Sequence, residues 1–256
     1  TYLSYYLHHY KEIIIIYLNN IIVFIYMIIL DVPGFGESSM RESFEYTLST
    51  QVELITEFLT KISPHSKYII GGSSLGGFLA AAIAVKVPNQ TCGLWLLAPA
   101  GVTTEHHAEG VELILQGDNP LLVNNESEFA RLSQLCFHEV PPKNLFYEVF
   151  EQRAIKRLLI NEQLFMQMFG PIDSIEYQNP FKLEELVQSL ECETLLVWGN
   201  EDKILTSDGL DILSKKIKSN ESKLMQKVGH LPMLEEPKRC AKDLTDFYRE
   251  RIDTMS

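Results

Sequence analysis

Residues Gly72-Ser73-Ser74-Leu75-Gly76 join a short apolar run, Tyr68-Ile69-Ile70, to an Ala-rich stretch from Phe78 to Val87 that Pro88 ends. A G-x-S-x-G between a strand and a helix describes a turn too tight for large flanking side chains, and it lifts the central hydroxyl clear of the sheet. The helix that follows directs its first N–H groups at the same place, where negative charge developing on a reacting oxygen is stabilised. Ser74 is therefore the candidate nucleophile, and the backbone N–H of Leu75 is the expected oxyanion donor. Centring the turn on Ser73 would put Leu75 where a small residue is needed. A phosphate-cradling turn would need a Lys after the glycines or the spacing G-x-G-x-x-G, and neither is present.

A serine at its ordinary pKa is a poor nucleophile, so it needs a base, and the base needs an acid to orient it. Two later segments offer both. The expected strand Thr194 to Trp198 runs into Gly199-Asn200-Glu201-Asp202, and the expected strand Lys223 to Val228 runs into Gly229-His230. Asp202 and His230 thus each lie just past the carboxyl end of a strand, where the sites of α/β proteins gather. Glu201 competes with Asp202 for the acid role but is displaced by one residue and reads as a solvated loop charge. His8, His9, His65, His106, His107 and His138 lack this placement after a strand. His106-His107 has no matching ligand spacing, so no metal site is expected.

From Asp31 onward, strand-like and helix-like stretches alternate, which predicts a mostly parallel sheet flanked by helices. Val52, Ile55, Phe58, Leu59 and Ile62 recur at helical spacing before Pro64, and Gly93 to Ala98 reads as a buried strand closed by Pro99. The rhythm is lost between about residues 101 and 190, where helices are expected at Val111 to Gln116, Glu126 to Phe137, and Asn144 to Phe169. It resumes at Thr194, with a helix near Asp208 to Ile217 and a last one from Lys238 to Arg251. This is one α/β domain with a helical excursion. The formal charge of -12, from 22 basic and 34 acidic residues, comes without any Lys/Arg cluster and argues against a nucleic-acid partner. Cys92, Cys136, Cys192 and Cys240 form no C-x-x-C pair and read as single buried thiols. Their even number leaves two disulfides in an oxidising compartment compatible with the spacing.

The first thirty residues differ in composition. Ile13 to Leu30 is apolar except for Asn19 and Asn20, and tyrosines crowd the start. Eighteen mostly apolar residues reach the lower limit for a membrane-spanning helix, whereas β-branched and aromatic side chains suit strands. Ile13 to Leu18 and Ile21 to Leu30 can also be two strands turned at Asn19-Asn20; such a link permits only antiparallel pairing. A buried strand over Ile21 to Leu30 is preferred because of the Pro- and Gly-rich turn, Asp31 to Ser38, that follows it. No basic start or small-residue cleavage site marks a signal peptide.

Three segments together resemble the α/β-hydrolase superfamily: Asp31-Val32-Pro33-Gly34-Phe35-Gly36-Glu37-Ser38, Gly72-Ser73-Ser74-Leu75-Gly76-Gly77, and Leu94-Trp95-Leu96-Leu97-Ala98-Pro99-Ala100-Gly101-Val102. Within it they are similar to the monoacylglycerol-lipase-like branch and its bacterial lipase relatives. The chain order Ser74, Asp202, His230 is the order of that fold. The resemblance implies an α/β-hydrolase core over residues 21–100 and 191–256, with a helical cap inserted at 101–190 and an atypical segment at 1–20. It implies a serine carboxylic-ester hydrolase working through Ser74, His230 and Asp202 and an acyl-enzyme, with no cofactor and a small-molecule ester or lipid as substrate. Some members carry an amino-terminal membrane anchor, so membrane association stays open, as do compartment and oligomeric state. Leu145, Phe146, Val149, Phe150, Leu164, Phe165, Met166, Met168 and Phe169 are candidates to line an acyl-chain pocket. One departure stands out: the family's His-Gly loop, source of a second oxyanion N–H, has no counterpart before Asp31. The expectation from it is a replaced or shortened start, and it keeps a non-catalytic hydrolase-fold binding protein as an alternative. A carbon–carbon bond hydrolase using the same triad is the other.

Overall fold

The computed structural model describes residues 9–18, 21–36, 38, 44–169 and 182–253. The chain forms two compact units, Thr1–Ile62 and Ser63–Ser256. In the first, β1 (His9–Leu18) pairs antiparallel with β2 (Ile21–Leu30), His9 opposite Leu30 and Leu18 opposite Ile21. The two-strand reading is the one realised; the Asn19-Asn20 turn lies outside the described residues. Full burial of Ile21 to Leu30 is not: Met27 and Ile29 are 37% and 54% exposed. Side chains alternate between the faces of a strand, so an unbroken apolar run does not bury every residue when one face stays open. Among the described residues no helix is long and apolar enough to cross a membrane.

The turn after β2 is closed by Phe35 N–H donating to the Val32 carbonyl at 2.8 Å and by the Ser38 hydroxyl donating to the Asp31 carbonyl at 2.6 Å. The Gln51 side chain, on α1 (Leu48–Ile62), donates to the Pro33 carbonyl at 2.8 Å and holds this turn against the helix. Glu37 lies outside the described residues.

The second unit is built on four parallel strands in the order β3 (Tyr68–Ser73), β4 (Thr91–Leu97), β5 (Glu193–Gly199), β6 (Asn220–Met225). Parallel neighbours need crossovers, supplied by α2 (Leu75–Lys86), by a helical insert, and by α8 (Asp208–Lys216). The insert contains α3 (Glu109–Leu115), α4 (Glu126–Cys136), α5 (Leu145–Lys156), α6 (Leu158–Phe169) and the short α7 (Leu183–Leu186). The stretch from Asn144 to Phe169 is two helices, broken at Arg157; Gly170-Pro171 lies outside the described residues. After β6 come α9 (Pro232–Glu235) and α10 (Pro237–Phe247), and α10 runs on into a wider helical turn over Tyr248–Ile252.

β5 is buried along its whole length. Leu195 and Val197 pack with Leu97, Met225, Val228, Cys240, Phe247 and Ile252, a core that carries α10. A second cluster joins Leu135 and Cys136 of α4 to Ile204, with Leu113, Leu132, Leu205 and Leu231 around it. That cluster fastens the insert to the loops after β5 and β6.

Candidate active site

Ser74 stands between β3 and α2 with φ 53° and ψ -121°, a region that L residues rarely occupy and that costs about 1–3 kcal/mol. Its backbone is held on both sides. Ser74 N–H donates to the Leu97 carbonyl at 3.0 Å, and its carbonyl accepts from Gly77, Phe78 and Ala100 at 3.0, 3.2 and 2.9 Å. A Cβ on Gly72 would lie 2.1 Å from the Gly76 carbonyl oxygen, and one on Gly77 would lie 2.8 Å from the Pro99 side chain. The steric demand thus falls on 72 and 77, whereas a Cβ on Gly76 would meet open space. This corrects the expectation that position 76 must be small and leaves the register to the backbone of Ser74. Leu75 opens α2, whose first turn carries no acidic residue to offset its positive end.

Asp202 and His230 meet. His230 Nδ1 lies 2.8 Å from Asp202 Oδ2, and the two residues are 4% and 8% exposed. The backbone makes room for this. A Cβ on Gly199, at the end of β5, would sit 2.1 Å from the Gly229 carbonyl oxygen, so the loop bearing His230 crosses directly over the start of the Asp202 loop. Asp202 Oδ1 accepts from Ile204 N–H and Leu205 N–H at 2.8 and 2.9 Å, and Oδ2 also accepts from Trp198 Nε1 at 3.1 Å. Glu201 is exposed and accepts from Asn200 Nδ2. His65, His106 and His107 are exposed as well, as is His138; His8 and the His9 side chain lie outside the described residues. No group of three or more potential ligands among the described residues is arranged to hold a metal ion.

The expected strand Lys223 to Val228 differs from the one observed. β6 ends at Met225, its last partner Gly199. Gln226 and Lys227 form a turn in which Lys227 has φ 58° and donates its N–H to Asn200 Oδ1 at 2.7 Å. The chain then returns so that the Val228 carbonyl accepts from Glu201 N–H at 2.9 Å. His230 therefore hangs on a buttressed loop rather than directly on a strand end.

The insert contributes the rest of the buttress. His230 N–H donates to the Cys136 carbonyl at 2.7 Å, and a Cβ on Gly229 would lie 2.4 Å from that oxygen. Glu235 spans two segments: Oε1 accepts from Gly229 N–H and Oε2 from His138 N–H, both at 2.7 Å. Burial pushes its carboxyl above the usual value. Burial, reinforced by the charges of Asp202 and Glu235, pushes the Cys136 thiol up to about 12, so it packs as a neutral thiol beside the Asp202–His230 pair. All four cysteines are free, with Cys192 and Cys240 pushed to about 11 by burial. Trp198 and Glu235 were not visible as site residues in the sequence. The available signals were position alone: an aromatic four residues before Asp202, and a carboxylate five residues after His230 on a turn begun by Pro232.

The expected acyl-pocket residues divide. Leu164, Phe165 and Met168 are buried and Phe169 is half-buried, while Leu145, Val149, Phe150 and Met166 are exposed. The Phe146 side chain lies outside the described part of the chain.

A family model described as the alpha/beta hydrolase fold matches residues 26–237. The chain belongs to the α/β-hydrolase family. It is 29% identical to Lipase 1 of Psychrobacter immobilis over 212 residues, which cover 82% of this chain and 64% of that one. The chain thus spans just under two thirds of that relative. It is 23% identical to Monoacylglycerol lipase ABHD6 of Mus musculus, covering 87% of this chain and 67% of the relative. A solved membrane phospholipase A, described as a novel bacterial virulence factor, superposes with a TM-score of 0.78 at 30% identity, covering 87% of this chain and 69% of that one.

Proposed function

We propose that this α/β-hydrolase is a serine carboxylic-ester hydrolase acting on lipid-like monoesters. The observation that carries the reading is the buried Asp202–His230 pair, 2.8 Å apart, with Ser74 on a strained elbow of the same sheet. A carboxylate only accepts, so Nδ1 carries the proton and Nε2 keeps the lone pair that a general base needs. Ser74 Oγ attacks the ester carbonyl as His230 Nε2 takes its proton. The tetrahedral oxyanion is stabilised by the Leu75 N–H at the positive end of α2. Collapse breaks the bond to the alcohol, which leaves with the proton from His230, and Ser74 is acylated. Water, deprotonated by His230, releases the acid and restores the serine.

The names of the similar proteins, two lipases and a phospholipase, support an ester of a lipid. The test exposes the chain to a fluorophosphonate beside Ser74→Ala. Labelling that vanishes in the variant is expected; a folded chain that resists labelling would overturn the reading. Turnover of long-chain monoacylglycerols above short-chain esters is the expected substrate order, and the reverse order would remove the lipid part.

A further inference from the structure

We propose that Trp198 is a positioning residue for the triad: its indole N–H shares Asp202 Oδ2 with His230 and moderates how strongly that oxygen holds the imidazole proton. The role of His230 as base rests on the ester-hydrolase reading above; the hydrogen bonds themselves do not.

The four donors to Asp202 among the described residues are unequal in kind. Oδ1 takes two backbone N–H groups of its own loop, from Ile204 and Leu205, which fix the plane of the carboxylate. Oδ2 faces His230 Nδ1 at 2.8 Å and takes its second donor, Trp198 Nε1, from β5 at 3.1 Å. The same indole N–H is shared with the Leu205 carbonyl at 3.1 Å, so the ring ties the strand to both ends of the Asp202 loop. Its place is closely defined. Trp198 is 1% exposed, so bulk solvent does not reach its indole N–H. On α8, a Cβ at Gly209 would lie 2.5 Å from the indole Cη2, so a glycine stands where the ring meets that helix. Trp198 also points to the face opposite Leu195 and Val197, whose core carries α10.

A donor on Oδ2 stabilises the negative charge there and lessens what that oxygen offers to an imidazolium. Removing the donor without altering the ring should strengthen the hold of Asp202 on protonated His230. The base-competent form then appears only at higher pH. A role in packing alone would leave that transition where it is, or lower it by loosening the Asp202–His230 pair.

The test replaces Trp198 by benzothienylalanine, which has sulfur in place of the indole N–H, in the full chain carrying Trp95→Phe so that one position is altered. Trp198→Phe is the second variant. Two quantities are followed: the pH dependence of Ser74 labelling by a fluorophosphonate, and the pH at which the His230 ring resonances change in the NMR spectrum. Both transitions are expected to move up by about 0.3–1 pH unit, the worth of one hydrogen bond. Transitions that stay in place or move down would overturn the proposal. If the unaltered chain is never labelled, the ester-hydrolase reading fails, and the His230 resonances still decide the role of Trp198.

Discussion

Helices α4 and α5 belong to the same insert and treat the protein around them in opposite ways. The end of α4 is bound into the loop of His230 by the Cys136 carbonyl, by His138 N–H through Glu235, and by the cluster of Leu135, Cys136 and Ile204. Helix α5 buries Tyr147 and Glu151 and turns Leu145, Val149 and Phe150 outward, Leu145 with 77% of its surface exposed. Glu151 has Lys143 Nζ 3.5 Å away. The contrast places the end of α4 in the framework that holds the His230 loop, whereas α5 leaves Leu145, Val149 and part of Phe150 facing solvent.

The strongest way to break this contrast is Gly229→Ala. The added Cβ would start 2.4 Å from the Cys136 carbonyl, so either α4 or the His230 loop must shift. A displacement near ~1 Å at a catalytic group costs about 10²-fold in rate, and overpacking adds about 1–3 kcal/mol of destabilisation. Labelling kinetics and urea unfolding check the two effects separately. Glu235→Gln comes next. One of the two N–H donors would face an amide N–H in place of an acceptor, a loss of about 1–3 kcal/mol for an unsatisfied group, read as a lower urea midpoint.

The same carboxylate gives a pH prediction. Because burial raises its pKa above the ordinary 4.5, the folded chain binds this proton more tightly than the unfolded chain. Its contribution to stability is then greatest below that value and declines as pH rises through the raised one. The advantage of Glu235 over Gln at this position should shrink across that window in urea titrations. The smallest effect is expected on the outward face: Leu145→Ser should change stability by no more than about 0.5 kcal/mol, and a larger loss would mean that α5 is anchored too.

The elements that govern this contrast were unequally legible. Ser74 and Asp202 stand where residue type and place after a strand put them, whereas His230, expected just past a strand reaching Val228, follows a turn after β6 has ended at Met225. The strand end at Met225 was not legible, since Gln226 and Lys227 look strand-compatible and their turn depends on Asn200, distant in sequence. The break at Arg157 carries no Gly or Pro to mark it. Cys136 and His138 act through backbone groups, which any residue would offer. Trp198 reads as ordinary core until its N–H is seen to reach Asp202. What escaped was chiefly the support of the site, made by long-range hydrogen bonds.

The parallel ladder also bears on the order in which the molecule can be made. Ile69 pairs with Gly93, but Gly93 pairs with Glu193, so the second closure spans a loop about four times longer. In equilibrium terms that is only about 1.2 kcal/mol of chain entropy, two doublings at about 0.6 each. In time it matters more, because β5 and β6 emerge from the ribosome only after the whole insert. The Ser74 elbow can form early between β3 and β4, while Asp202 and His230 follow only after the insert. A nascent chain therefore carries Ser74 on its elbow long before Asp202 and His230 can meet.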